Sequence, residues 1–203
     1  MAPARSLLSR TMATPRADPP LVGLTTNGKP IRGGSALGVA IVRESSDLAG
    51  AMVGCFAYAD TAMLETYVPG TEVAVTVIEN ADGSIQALPA VEIVPDSGVY
   101  DYASRYTAGT TEFFAPARLS DEAAAQCARM ALAAHERLGL RHLSRADLIV
   151  GHDGQVTFLE VNVAPGCTET SLLPQAVEAA GLDLGQVFQV LVGRAVAEGS
   201  PSV

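Results

Sequence analysis

Basic residues are scarce in this chain: 13 Lys and Arg stand against 22 Asp and Glu, for a formal net charge of −9 and an isoelectric point near 4.7. Such a surface repels nucleic acid and anionic membranes, which excludes both as general partners. Any phosphate the chain binds must be met by locally placed cations and backbone N–H groups. Cysteine is scarce too. Cys55, Cys127 and Cys167 are odd in number, widely separated and without ligand spacing, which argues against a disulfide framework or a zinc site and points to a reducing, cytoplasmic setting. No apolar run is long enough to cross a bilayer. Internal repeats and low-complexity tracts are missing, as are a Walker A sequence and a dinucleotide-binding fingerprint.

Present instead are 203 residues, 48% of them apolar, enough to bury a proper core. Residues 1–20 stand apart. They carry Arg5, Arg10 and Arg16, no acid before Asp18, and an apolar stretch of only Leu7-Leu8, too short for a secretory signal. An organellar transit peptide can have this composition, but a disordered tail or a misplaced gene start is the simpler reading. Residues 21–203 then form the folded part.

Along that part, Val39 to Val42 reads as a strand, and Ser45 and Ser46 are N-cap candidates for a helix through Tyr58. Four short strands follow: Ala62 to Glu65, Glu72 to Ile78, Ile85 to Leu88 and Ala90 to Val94. Ala81-Asp82-Gly83-Ser84 makes a hairpin between the second and third. Ser120 to Leu138 is the strongest helix, with acids at its start and Gly139 to end it. Strands Ser144 to Val150 and Gln155 to Asn162 come next, then helices from Ser171 to Ala180 and from Asp183 to Ala197. Leu24-Thr25-Thr26-Asn27-Gly28 is poor in strand formers and reads as no strand. Hairpins in place of βαβ units predict an α+β fold with a mainly antiparallel sheet and packed helices.

The sharpest chemistry lies in Arg145-Ala146-Asp147 and Glu160-Val161-Asn162. A symmetric turn over Gly151 to Gly154 would set Arg145 opposite Glu160 and Asp147 opposite Phe158. Because strand side chains alternate, Arg145, Asp147, Glu160 and Asn162 share one face, while Ala146, Leu148, Leu159 and Val161 take the apolar one. Two carboxylates and an amide oxygen suit Mg²⁺, a hard cation that also keeps phosphate oxygens and water. A solvated sheet face with ordinary charges is the competing reading. It loses ground because Pro165-Gly166 runs directly towards a helix start, whose N–H groups favour anions. Upstream, Lys29-Pro30-Ile31-Arg32-Gly33-Gly34-Ser35 combines a point charge with adjacent glycines that can direct N–H groups at phosphate. The histidines His135, His142 and His152 are read as packing or solvent-facing residues.

In this order the motifs resemble the ATP-grasp ligases, and specifically the D-alanine–D-alanine ligase family, from Lys29 to the C-terminus. The resemblance is carried by Lys29-Pro30 with Gly33-Gly34-Ser35, Leu64-Glu65-Thr66-Tyr67-Val68-Pro69-Gly70-Thr71-Glu72, Tyr100-Asp101-Tyr102 with Arg105-Tyr106, and Arg145-Ala146-Asp147. Glu160-Val161-Asn162, Pro165-Gly166 and Thr170-Ser171-Leu172-Leu173-Pro174 complete it. It implies an ATP-grasp fold of which this chain is the catalytic portion, with no N-terminal domain before Lys29.

The resemblance also implies roles. Lys29 contacts ATP phosphates, Glu65 lies at the adenine hinge and Glu72 near the ribose. Arg105 stands where the family carries a lysine. Asp147, Glu160 and Asn162 hold two Mg²⁺ (or Mn²⁺) ions, and Arg145 with the Gly166 N–H stabilises an oxyanion. Ser171 and Leu172 hold the carboxylate of the second D-alanine, while Ser35 and Tyr106 sit where a loop closes over the site. The implied activity is ATP-dependent formation of D-alanyl-D-alanine through an acyl phosphate, for peptidoglycan precursors. D-alanine and ATP are the expected small-molecule partners, and a homodimer is an assembly compatible with the family. A catalytically impaired nucleotide-binding remnant and a D-alanine–D-lactate type ligase are the alternatives.

Overall fold

The computed structural model describes residues 26–32, 34–107, 109–168 and 171–199; the expected tail at 1–20, Gly33 and Thr170 lie outside the described residues. The chain divides into two compact units, one containing residues up to Tyr67 together with Pro95–Thr111, the other containing Val68–Val94 and Glu112–Val203.

In the first unit, β1 (Thr26–Pro30) is the middle strand of an antiparallel sheet, flanked by β2 (Ala40–Val42) and β3 (Ala62–Thr66). This corrects the expectation of no strand before Lys29. Its backbone groups are matched on both sides, so pairing overrides weak local propensity. Gly28 lies between Ala40 and Leu64, and a side chain there would touch Leu64 and the Cys55 sulfur. Helix α1 (Leu48–Phe56) packs on all three strands and buries Cys55 completely. Its start differs from the expected serine cap. Ser45–Asp47 forms a 3₁₀ turn, and Asp47 precedes α1 without a side-chain cap bond. The five-residue α2 (Tyr102–Tyr106) was not foreseen either. It is held by Asp101, whose Oδ1 accepts from the Ser104 backbone N–H and hydroxyl, each at 2.8 Å.

The second unit is built on β4 (Thr71–Glu79), β5 (Ile85–Ala87), β6 (Val91–Pro95), β7 (Thr111–Phe114), β8 (Leu143–Val150) and β9 (Val156–Asn162). Their order is β7-β6-β4-β8-β9, with β5 also paired to β4, and the registers are antiparallel. Alternate residues Val73, Val75 and Val77 of β4 face the core with Ala146, Leu148 and Val150 of β8. Helix α3 (Asp121–Arg137) covers them through Ala123, Cys127 and Ala131, a stripe of every fourth residue. Each fully buried valine contributes about 1.5–3 kcal/mol by leaving water. Ser120 Oγ accepts the Ala123 N–H to start α3, and Gly139 ends it at φ 61°. Helices α4 (Leu172–Ala179) and α5 (Leu184–Glu198) follow. Among the described residues, no helix is long and apolar enough to cross a membrane.

The β8–β9 register departs from the symmetric hairpin. Arg145 pairs with Asn162 and Asp147 with Glu160, and a register shift falls between Asp147 and Leu148, so that Leu148 pairs with Phe158. The extra residue, Leu159, is bulged. Phe158 therefore packs on the core and Leu159 is exposed, the reverse of the expected facing.

His135 continues the α3 stripe beneath the sheet end. It is buried, with Nδ1 2.8 Å from Ser144 Oγ. Burial pushes its imidazole below the ordinary histidine value, against the upward pull of Glu79 and Glu136. As pH falls below about 6.5, the unfolded chain therefore takes up this proton before the folded one, and stability declines from there towards the folded-state value. The urea midpoint should fall between about pH 7.5 and about pH 5.5, and fall less in His135→Gln. An equal fall in both proteins would remove His135 from the explanation.

Candidate functional site

One face of the second unit's sheet gathers polar groups in a hydrophobic protein. Register carries Thr76, Arg145 and Asn162 across β4, β8 and β9 in one row, and Ala74, Asp147 and Glu160 in the next. Glu72 of β4, opposite Ile149, belongs to the same face. Arg145, Asp147, Glu160 and Asn162 are thus together, as alternation requires, although their pairing differs from the symmetric one. Asp147 and Arg145 are buried and joined as a fork: Nε donates to Oδ1 at 2.7 Å and an Nη to Oδ2 at 2.8 Å. Glu160 is exposed and Asn162 half-buried. Asn162 Oδ1 accepts the Ala164 N–H at 2.9 Å, which fixes the amide and leaves its second lone pair. Two carboxylates and one oriented amide oxygen on neighbouring strands form a hard-oxygen donor set that fits Mg²⁺ or Mn²⁺.

Beyond β9 the chain turns through Pro165-Gly166 to α4. A side chain at Gly166 would collide with the Ser171 hydroxyl, 2.7 Å from the ideal Cβ position, and would force that hydroxyl out of its present place. Ser171 sits at the N-cap of α4 yet makes no capping bond. Its hydroxyl lies 2.8 Å from Thr168 Oγ1 and accepts the Thr168 N–H, turning towards the loop. Leu172, the first residue of α4, is buried. Thr168 has no role in the sequence-based expectation; a hydroxyl residue three positions before an N-cap serine is the signal that could have found it.

In the first unit, Lys29 of β1 and Glu65 of β3 form an ion pair at 2.8 Å, both partly shielded. The glycine loop after Pro30 takes its left-handed conformations at Ser35 (φ 57°), Ala36 (φ 56°) and Gly38 (φ 75°). Left-handed backbone at non-glycine residues is costly, and such residues cluster at ligand clamps and active sites as well as in tight turns. Arg105 of α2 stacks 4.1 Å from the Tyr100 ring centre, and its Nε is buried with no partner among the described residues. Tyr106 lies in α2, but its side chain lies outside the described atoms.

A second cluster, Glu79, His142 and Glu198, brings ligand-type atoms within 4.8 Å of one another. Arg194 already donates to both carboxylates, at 3.0 and 2.6 Å, and Arg141 approaches Glu198 at 3.6 Å. Burial raises the Glu79 carboxyl, but hydrogen bonds from His142 and Arg194 outweigh it and hold the pKa below the ordinary value. Two guanidiniums matched to two carboxylates make an ion-pair network whose charges already balance, so a dication could take the carboxylates only by displacing the arginines.

Comparison with known proteins gives a consistent result. Residues 21–193 match the family model described as D-ala D-ala ligase C-terminus. A D-alanine–D-alanine ligase of Anaeromyxobacter dehalogenans is 41% identical over 175 residues, covering 86% of this chain and 55% of the relative. Among solved structures, D-alanyl-alanine synthetase A of Vibrio cholerae superposes with a TM-score of 0.75 at 25% identity, over 86% of this chain and 53% of that one. The VanG D-Ala:D-Ser ligase of Enterococcus faecalis gives 0.73 at 30% identity, over 83% and 49%. The chain thus spans about half the length of the relatives it matches.

Proposed function

The chain belongs to the D-alanine–D-alanine ligase family, matched by the model of its C-terminal part, and from that premise we propose that it carries the nucleotide-binding and catalytic half of an ATP-dependent ligase joining D-alanine to D-alanine. The observation that carries this reading is the polar face on which Arg145, Asp147, Glu160 and Asn162 converge. A carboxylate does not react with an amine until one of its oxygens has been converted into a better leaving group. In this reading the first D-alanine's carboxylate oxygen bonds to the γ-phosphorus of ATP as the bond to ADP breaks. The amine of the second then attacks the acyl carbon, and phosphate leaves. The product would serve peptidoglycan precursor synthesis in the cytoplasm.

Each residue has a chemical task in this scheme. Lys29 meets phosphate oxygens, with Glu65 at the adenine hinge, Glu72 at the ribose and Arg105 on phosphate. Asp147, Glu160 and Asn162 would hold two divalent ions. Bound there, the metal neutralises phosphate charge and orients the transferring group. Arg145 and the Gly166 N–H stabilise the oxyanion of the tetrahedral intermediate, where preorganised donors are worth most. Ser171 and the start of α4 receive the second substrate's carboxylate, helped by the helix dipole. Ser35 and Tyr106 keep the loop-closing role that the family resemblance implies for them.

Binding of a non-hydrolysable ATP analogue tests this directly. Affinity should depend on Mg²⁺, and Lys29→Ala should weaken it by about 1.5–3 kcal/mol, the range for a hydrogen bond to a charged group. Equal affinity in both proteins would make the glycine loop a plain turn. Assays for D-alanine-dependent phosphate release and dipeptide formation, run alongside D-serine and D-lactate as acceptors, separate the ligase from a nucleotide-binding remnant and fix the acceptor.

A further inference from the structure

We propose that Arg145 gates the metal face: its guanidinium and a divalent cation compete for the Asp147 carboxylate, so that cation binding frees Arg145 to meet an incoming anion. The proposal rests on the metal reading given above, and its test separates the two. Both oxygens of Asp147 are engaged by one fork, at 2.7 and 2.8 Å, with both side chains buried. On the β4 side, Ala74 lies opposite Asp147 and Thr76 opposite Arg145, both buried to 1% and neither carrying a charge. On the β9 side stand the other two donors, Glu160 opposite Asp147 and Asn162 opposite Arg145. A cation bridging Glu160 and Asp147 therefore approaches the carboxylate from β9, on the flank of a guanidinium that occupies both its oxygens.

The charges decide the outcome. A dication and a guanidinium on one small carboxylate repel strongly in a shielded site, so the bidentate grip must loosen to a single bond or let go as the cation binds. Arg145 would then carry an unspent N–H pair on the face where anionic oxygens arrive. The arginine thereby restrains the cation site until a cation is present, and it becomes available only afterwards. Binding order follows, cation before the anionic group that Arg145 receives.

The probe is Mn²⁺ alone, without nucleotide, its binding to the full chain followed by the loss of the free-ion electron paramagnetic resonance signal. Arg145→Met, which keeps length and removes charge, should bind Mn²⁺ at least about tenfold more tightly than the wild type, a difference of about 1.4 kcal/mol. Arg145→Lys keeps the charge but cannot form the fork, so its affinity should fall between the two. Adding Asp147→Asn should abolish the gain in either variant. If Arg145→Met does not fold by circular dichroism, the lysine variant decides. Equal Mn²⁺ affinity in wild type and variants, with the dependence on Asp147 retained, overturns the gate and leaves the metal reading standing. Binding that ignores Asp147 in every protein overturns both.

Discussion

Asp147→Ala is expected to lower the unfolding free energy by about 3 kcal/mol, the low end of the cost of removing one partner from a buried ion pair. The reason is asymmetry. The substitution saves little desolvation but leaves the Arg145 guanidinium buried without the carboxylate that receives two of its N–H groups. The low end applies because the pair is not wholly cut off from water: the Arg145 side chain keeps 9% of its exposure and the Asp147 side chain 6%. Glu160→Ala, on the same face but exposed, should stay within about 0.5 kcal/mol of the wild type. Urea unfolding of the three proteins checks this. A cost under about 1 kcal/mol for Asp147→Ala would mean that the pair is surface-like in energy, whatever its burial. The contrast also separates roles, since Glu160 should matter for metal and hardly for folding.

Features written into consecutive residues were legible in the sequence. The Ala81 to Ser84 turn joins β4 to β5, Ser120 and Gly139 bound α3, and a period of two puts Arg145, Asp147, Glu160 and Asn162 on one face. That face survived an error in pairing because shifting partners by two residues leaves facing unchanged. What failed was the half of the hairpin beyond the bulge. A single inserted residue has no mark in composition, so Leu159 and Phe158 exchange the sides expected of them. The burial of His135 was readable in principle, as the fourth member of the stripe Ala123, Cys127, Ala131.

Strand β1 was illegible for a different reason. Thr26-Asn27-Gly28-Lys29-Pro30 has almost no strand propensity, and its conformation comes from partners at residues 40–42 and 62–66. Gly70 shows the same dependence. Its motif position was read from the resemblance, but its physical necessity appears only in three dimensions, where a side chain would run into the Val150 carbonyl. The short helix α2 likewise depends on Asp101 and Ser104 meeting, a local bond that helix periodicity does not announce.

On the function proposed above, metal and nucleotide chemistry takes place on the polar face of β4, β8 and β9. Anomalous diffraction from crystals of the chain grown with Mn²⁺ and a non-hydrolysable ATP analogue tests it most directly. Mn²⁺ peaks are expected about 2.1 Å from oxygens of Asp147, Glu160 and Asn162, the remaining positions being filled by phosphate oxygen and water, as hard octahedral cations require. In Glu160→Gln, which keeps the shape and removes the charge, the peaks should lose most of their occupancy. Nucleotide bound with no Mn²⁺ on this face, or Mn²⁺ held at Glu79, His142 and Glu198 instead, would remove the metal role from Asp147, Glu160 and Asn162.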